Sequence, residues 1–415
     1  MEPGKYTATA EAWNAGENIL EGSGSIEITV RAGETTDCNI TMILEGETAY
    51  YSKYMILTND PNVKKLYNYT TMQEISIEDF TLGGASYNPV EDREGKIYYI
   101  TDVTLHRNGE LLSQIDTSNL IKNPLYYDSK TDSLWLASFD SGMSFVNFSV
   151  FENPSAATSN TNPSTIPYDD SNYLNNSFSC QAFAVKEDNI YIAYNNSNIL
   201  LTKKNNSSNT EATITLSNIT PALSGEVTDM AVLEDGTVAV LVRSIGVTSE
   251  TKVFDYTVLN DKDTVYSRGA LVLLSSDLSK VEKVLGWTDS PRTISATGED
   301  TENSVKEWTS IEAYIPEYEE RGTHFYGPVK IVAIRPKELV IADCGANFVL
   351  PDYDGKKNGK IYAHNRLMTV NLRNFAIGCK KEFSESELKF QNLTISGGIE
   401  ATSSSPYYGN YVDEK

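Results

Sequence analysis

The sequence predicts an all-β protein: a six-bladed β-propeller behind a small N-terminal antiparallel β-sandwich-like module. The main observation is a short phrase of alternating β-forming residues that returns six times along the chain. A second alternating stretch precedes most copies, and Asn, Asp, Gly or Pro residues form hairpin-type turns between them. A strand unit repeated at this spacing is typical of a propeller. The six copies are residues 54–58, 96–102, 133–138, 189–194, 236–242 and 338–343.

Residues 1–48 form a module of a different kind. Alternation with period two over 5–13, 23–30 and 36–44 predicts three antiparallel strands. The order Pro-Gly-Lys-Tyr-Thr from Pro3, then Ile-Thr-Val-Arg-Ala-Gly-Glu from Ile28, resembles the closing half of Ig-like accessory domains in secreted bacterial proteins. Three strands are too few for an independent sandwich, so either further strands lie upstream or the sheet leans on the propeller.

Residues 49–397 are predicted to form the propeller, and 398–415 a flexible tail. Each phrase is expected to be the second strand of a four-stranded blade. First strands are predicted at 181–185, 228–233 and 329–334, and third strands at 268–278 and 365–372. Residues 387–395 would close the ring by pairing with the first blade, which removes an exposed edge. Seven blades are the alternative, because the long stretch 243–337 separates the last two copies.

The segment 327–345 resembles the NHL/YVTN type of propeller repeat. It keeps the order Pro, an apolar pair, Ala, a turn, then Leu-Val-Ile-Ala-Asp-Cys-Gly. The other copies share only its hydrophobic pattern, so the resemblance is to a superfamily. It implies a fold and no particular activity.

Composition narrows the class of function. The chain of 415 residues has a formal net charge of −23, which disfavours nucleic acid as a partner. No run of 18 apolar residues predicts a transmembrane segment. The four cysteines, at 38, 180, 344 and 379, have no zinc-type spacing. We expect free thiols, with Cys344 and Cys379 too far apart across a blade for a disulfide.

Four long segments fall on links that a propeller places on one face: residues 152–179, 244–267, 288–326 and 345–364. Such loops commonly carry binding on a rigid scaffold, although they can also be decoration or a lid. The third segment combines many acids with aromatic residues, which suits a sugar, a basic peptide or a cation. The alternative for it is a short helix at 309–315 whose aromatics pack on the propeller. The candidate ligand-binding residues are Trp308, Tyr314, Tyr318, Tyr326, His324 and His364.

Two groups of acidic residues suggest metal sites. Asp352, Asp354 and Asn358 could supply oxygen ligands to Ca²⁺, although the spacing is not that of an EF-hand and two lysines lie between them. Asp102, Asp229 and Asp343 lie near predicted inner strands, where lactonases of the gluconolactonase type hold a metal. For Asp343 we favour another role, in which its carboxylate accepts hydrogen bonds from the backbone of a blade turn.

These features predict a non-catalytic binding or scaffold propeller that holds a protein, peptide or glycan on its loop-rich face, with no catalytic residues and no cofactor. The alternative is a metal-dependent enzyme of the lactonase or lyase sort with its site in the central channel. A structural spacer in a surface assembly is a third interpretation. The Ig-like resemblance implies an exported protein, periplasmic or on the outer cell surface, with an export signal or lipid anchor upstream. The sequence does not predict the oligomeric state.

Overall fold

The structure of the protein is a computed structural model. It describes residues 4–13, 20–31, 33, 43–44, 54–60, 63–68, 90–92, 96–101, 103–116, 119–139, 145–154, 156–157, 161–169, 179–187, 189–195, 199–205, 210–245, 266–287, 292–294, 311–313, 322–335, 338–349 and 360–382.

The N-terminal module is a three-stranded antiparallel sheet, as predicted. Its strands are β1 (Gly4–Trp13), β2 (Leu20–Val30) and β3 (Ile43–Leu44), in that order across the sheet. Gly4 pairs with Val30 at one end of the first hairpin, and Trp13 with Leu20 at the other. The Ig-like character of this module stays a prediction.

The rest of the described chain is a β-propeller arrangement of five four-stranded antiparallel sheets, not six. We number these sheets 1 to 5, and in each the strands lie in chain order. Sheet 1 contains β6 (Val90–Glu91), β7 (Ile97–Thr101), β8 (Thr104–Arg107) and β9 (Glu110–Gln114). Sheet 2 contains β10 (Leu120–Asp128), β11 (Ser133–Phe139), β12 (Phe145–Glu152) and β13 (Ser164–Asp169).

Sheets 3 to 5 follow the same plan. Sheet 3 contains β14 (Ser179–Lys186), β15 (Asn189–Asn195), β16 (Ile199–Asn205) and β17 (Thr210–Thr215). Sheet 4 contains β18 (Glu226–Val232), β19 (Val238–Ile245), β20 (Tyr266–Leu274) and β21 (Val281–Leu285). Sheet 5 contains β24 (Pro328–Arg335), β25 (Glu338–Val349), β26 (Lys360–Asn371) and β27 (Ile377–Glu382).

Both predicted blade numbers are wrong for identifiable reasons. The first phrase, 54–58, lies in β4 (Tyr54–Asp60), which pairs in the described chain only with β5 (Val63–Asn68). The described part of the stretch 243–337 places no additional blade between sheets 4 and 5, because those sheets pack directly on each other, with Leu241 and Leu271 in one buried cluster with Ile331 and Ile341. In the chain, a separate two-stranded pair, β22 (Arg292–Ile294) and β23 (Ile311–Ala313), comes between the strands of sheet 4 and those of sheet 5.

The other predictions made from the sequence for strands, loops and the helix were confirmed in part. The remaining five phrases are all second strands, as predicted. The alternative of a short helix at 309–315 is wrong, since residues 311–313 are a strand. The segment 152–179 is not one long loop, because β13 supplies the outer strand of sheet 2. The closing strand at 387–395 and the tail lie outside the described residues, and the NHL-type segment 327–345 lies on β24 and β25.

The core lies in the seams between neighbouring sheets. Alternate residues of each strand face opposite seams, so almost every inner strand is apolar on both sides. Between sheets 2 and 3, for example, the rings of Phe148 and Phe183 pack with centroids 5.1 Å apart. Between sheets 4 and 5, Leu241 and Leu271 pack with Ile331 and Ile341. Burial of apolar surface in these seams, at about 25 cal/mol per Å², holds the sheets together.

Candidate functional site

The connections between strands are distributed unequally between the two ends of the ring. Turns between first and second strands are short, at residues 129–132, 187–188, 233–237 and 336–337, and they share one end, which we call the turn face. Links from second to third strands, and from one sheet to the next, leave from the opposite end, the insertion face. Among the links within and between sheets 1 to 5, the two longest, 246–265 and 286–327, belong to sheets 4 and 5, and a third, 350–359, lies within sheet 5.

The link 286–327 is held at both of its ends, at the seam between sheets 4 and 5. The Phe325 amide donates to the Gly286 carbonyl at 3.0 Å, so the link between the sheets leaves and returns at one point. Gly286 has a φ of +78°, and a Cβ there would lie 2.2 Å from the Phe325 ring. Gly269 likewise leaves room for Pro328, whose Cδ would lie 2.1 Å from an added Cβ.

Asp343 anchors the returning chain. This carboxylate is fully buried at the end of the sheet 5 core. Its Oδ1 accepts hydrogen bonds from the Tyr326 amide at 3.0 Å and the Gly327 amide at 2.7 Å. The sequence-based expectation that Asp343 holds backbone N–H groups is therefore confirmed, and the segment it holds is the link that joins sheet 4 to sheet 5.

Arg366, on β26, completes this anchor. It is 4% exposed and forms a salt bridge with Asp343, with its Nε 3.1 Å from Oδ2. Its guanidinium also lies 4.0 Å from the centroid of the Tyr326 ring and donates to the His324 carbonyl at 2.9 Å. Burial is the largest single influence and would lower the pKa of Arg366, but the charge and hydrogen bond of Asp343, together with Tyr326 and Cys379, outweigh it and the pKa is raised.

A second buried cation–π pair lies on the outgoing side of the same link. The Arg268 guanidinium lies 3.6 Å from the centroid of the Trp287 ring, and Trp287 is 7% exposed. Nearby, Arg243 pairs with Glu226 between β18 and β19, with Arg243 Nε 2.5 Å from Glu226 Oε1. Sequence reasoning missed all three arginines. The available signal was an arginine directly beside an apolar strand core, as in Val238–Ile245.

Asp229 links inner strands at the axis of the ring. Its Oδ1 accepts a hydrogen bond from Asn123 Nδ2 on β10, and its Oδ2 accepts one from the Ile331 amide on β24, both at 2.8 Å. Burial raises its pKa, although the Lys330 charge and these hydrogen bonds oppose the shift. Asp229 was a sequence candidate, whereas its partner Asn123, in another sheet, gave no recognisable signal.

The structure separates the remaining candidates. Tyr326 is 1% exposed, so its ring belongs to the interior of the seam. His324 is half-buried, with its Nδ1 3.3 Å from Thr323 Oγ1. His364 pairs in register with Gly345 on the extended β25–β26 hairpin, and its side chain lies outside the description. Outside it too are Trp308, Tyr314, Tyr318, Asp102, Asp352, Asp354 and Asn358.

Two properties of the described chain bear on the type of site. No group of three or more His, Cys, Asp or Glu side chains among the described residues could hold a metal ion. Within the same part of the chain, no helix has the length and apolar character needed to cross a membrane. Cys180 is buried and Cys379 is exposed, and neither forms a disulfide, as predicted.

Comparison with known proteins adds one family match. Residues 199–392 match the sequence model of a family described as the TdpA C-terminal domain. The matched segment begins at β16 in sheet 3 and contains all of sheets 4 and 5, with the insertions on their shared face. No curated protein matches the chain.

Solved structures give remote similarities. One is a protein from Bacteroides ovatus, provisionally named a dipeptidyl aminopeptidase IV, with a TM-score of 0.31 and 11% identity over 88% of this chain and 58% of that one. Another is an exo-β-1,3-galactanase from Phanerochaete chrysosporium, solved with galactose, with a TM-score of 0.30 and 10% identity over 80% and 67%. A third is a quinoprotein alcohol dehydrogenase-like protein from Bacteroides thetaiotaomicron, with a TM-score of 0.25 and 11% identity over 68% and 82%.

The chain spans 58% of the length of the first of these proteins. At identities and TM-scores this low, the similarities say nothing about a shared activity.

Proposed function

We propose that the protein is a non-catalytic binding propeller that holds a protein, peptide or glycan on the insertion face of sheets 4 and 5. The observation that carries the proposal is that the two longest links of sheets 1 to 5, together with 350–359, leave from one face of two adjacent sheets. Long links that extend from a rigid scaffold are the usual place for binding residues.

The anchoring of the link between sheets 4 and 5 supports this function. Its outgoing end is held by the Arg268–Trp287 pair, and its returning end by Asp343 and Arg366. A fixed base lowers the conformational entropy that a binding segment loses when it meets a partner. A buried arginine therefore lies at each end of the link.

The composition of the link suggests the chemistry of the partner. Between its fixed ends it carries Trp308, Tyr314 and Tyr318 among many acidic residues. Aromatic faces stack on sugar rings and on cations, and carboxylates form charge-assisted hydrogen bonds with hydroxyl, ammonium and guanidinium groups. We therefore favour a glycan or a basic peptide as the ligand.

The test uses the full chain on a glycan array and an array of Lys- and Arg-rich peptides. We expect binding to at least one array, and a loss of more than tenfold in affinity when Trp308, Tyr314 and Tyr318 are all changed to Ala. Lys130→Ala, on the turn face, is the control and should bind like the native chain. Retained binding by the triple variant, or no binding to either array, would contradict the proposal. Turnover of a lactone panel that depends on added Ca²⁺ would favour the enzymatic alternative.

A further inference from the structure

Asn123, Asp229 and Ile331 occupy equivalent places in three different sheets. Each is the fourth residue of the innermost strand of its sheet, in β10, β18 and β24. The Asp229 carboxylate bonds to the other two, and its contact with Asn123 passes over β14, the inner strand between them. One side chain thus joins sheets 2, 4 and 5 at the ring axis.

The contact with Ile331 pairs a backbone N–H group that an innermost strand cannot pair within its own sheet. The first strand of a blade has a neighbour on one side only, so every second backbone N–H group points towards the axis and needs another acceptor. Asp229 Oδ2 accepts the Ile331 N–H group at 2.8 Å. Asp229 therefore also ties sheet 4 to sheet 5 midway along their innermost strands.

Few charges act on this carboxylate among the described side chains. On β24, the positive charge of Lys330 acts on the Asp229 carboxylate. On β10, the neutral side-chain amide of Asn123 donates a hydrogen bond to it. The ionisable residues of β14 are otherwise engaged: Cys180 packs in an apolar cluster, and Lys186 donates to the Leu233 carbonyl at 2.6 Å. On its own strand, Glu226 pairs with Arg243. A charged Asp229 is thus buried without a salt bridge of its own in the described chain.

We propose that Asn123, Asp229 and the Ile331 amide act as a proton-linked latch, which joins the three inner strands most firmly when Asp229 carries a proton. In the charged state, both carboxylate oxygens accept hydrogen bonds from these donors. When Oδ1 takes a proton from solvent, the Asn123 side-chain amide rotates so that its oxygen accepts a hydrogen bond from the new O–H group, while Oδ2 still accepts one from the Ile331 N–H group. The latch is complete in both states, but only the charged one carries the cost of a buried charge.

The sign of the pH effect follows from linkage. The folded-state pKa of Asp229 is raised above the ordinary aspartate value, so between these two values the folded chain binds more protons than the unfolded one. Stability from the latch is therefore complete below the ordinary value and is lost as the pH rises through the raised pKa. Mild acid should tighten the ring midway along these innermost strands.

The melting temperature of the full chain between pH 4.5 and 8 tests the latch, with Asp229→Asn as the variant. Asn keeps the shape without the charge, so we expect the variant to melt close to the native chain at pH 4.5 and above it at pH 8. Asp277→Asn, on the turn face, is the control: it should melt below the native chain by a nearly constant amount over this range, because the contribution of Asp277 varies only at lower pH. Parallel profiles for native chain and Asp229→Asn would overturn the proposal.

A second variant and a second readout keep the test decisive if Asp229→Asn does not fold. Asn123→Asp places two carboxylates together that must share one proton, so its melting temperature should fall more steeply with pH than that of the native chain. In the native chain, hydrogen exchange at the Ile331 amide, corrected for its intrinsic pH dependence, should slow on acidification. An unchanged slope in the variant together with unchanged exchange would refute the latch.

Discussion

Gly345 lies against the backbone of Tyr326, so closely that a Cβ on Gly345 would be 2.4 Å from the Tyr326 carbonyl carbon. The contact occurs where the link between sheets 4 and 5 crosses strand β25, next to the Asp343 anchor. The close approach excludes any side chain at position 345, so this glycine sets the path of the link.

Gly345→Ala should destabilise the protein by about 2 kcal/mol or more, because backbone on both sides of the contact would have to move. Chemical denaturation measures the change. Gly322→Ala is the matched control, since nothing lies within 4 Å of a Cβ added there, and it should leave the free energy of unfolding nearly unchanged. Equal stability of the two variants would show that the segment moves aside readily.

Arg366→Met should cost about 3–5 kcal/mol, because it leaves the buried Asp343 carboxylate without its cation. Lys280→Met breaks the exposed Lys280–Glu282 pair, and should cost less than about 1 kcal/mol. Urea denaturation of both variants checks the contrast. A loss of similar size in the two would mean that the buried pair contributes no more than the exposed one.

Asp277 should contribute to the acid stability of the chain. In the turn between β20 and β21, hydrogen bonds from Ser275 and Ser279 to its carboxylate lower its pKa to about 2. The ordinary value is 3.8, so the folded chain binds fewer protons than the unfolded chain between these values. The stability contributed by Asp277 is complete above the ordinary value and is lost as the pH falls to about 2.

Melting curves of the native chain and Asp277→Ala between pH 2 and 6 measure this contribution. The native chain should be the more stable of the two at pH 6, and the difference should shrink as the pH approaches 2. A difference that stays constant over the whole range would contradict the assignment.

The two described thiols should differ in reactivity. Cys379 is exposed and Cys180 is buried, and reaction with a thiol reagent needs access to the sulfur. Under native conditions, Cys379→Ser should therefore remove one equivalent of labelling, whereas Cys180→Ser should remove none. In denaturant, each variant should lose one equivalent. Native labelling that Cys180→Ser reduces would show that sheet 3 opens readily.

The strands were the most predictable part of this molecule, because alternation over five or more residues leaves little choice of structure. Residues 133–138 and 189–194 could be placed as second strands from the sequence alone. The strand β13 could not, since Pro167 lies within it, and proline is tolerated only because this is the outer strand of its sheet. The predicted number of blades was wrong because a count of the repeated strand stretches does not show which strands pair into one sheet.

For the site, local chemistry was predictable and long-range pairing was not. An aspartate that directly follows the apolar residues of a sheet strand is well placed to accept backbone N–H groups, and Asp343 does so. Its pairing with Arg366 depends on the register of β26, which residues 350–359 leave undetermined in the sequence. The Asn123–Asp229 contact depends on the curvature of the whole ring, and a local pattern carries no information about that curvature.

The hydrogen bond from the Phe325 amide to the Gly286 carbonyl has a consequence for how this protein can change over time. Since the chain leaves and re-enters the ring at neighbouring atoms, the residues between could be shortened, lengthened or exchanged without moving either sheet. Other sequences could thus be inserted at the seam between sheets 4 and 5. Binding of a new ligand could evolve there, or be engineered, while the ring stays unaltered.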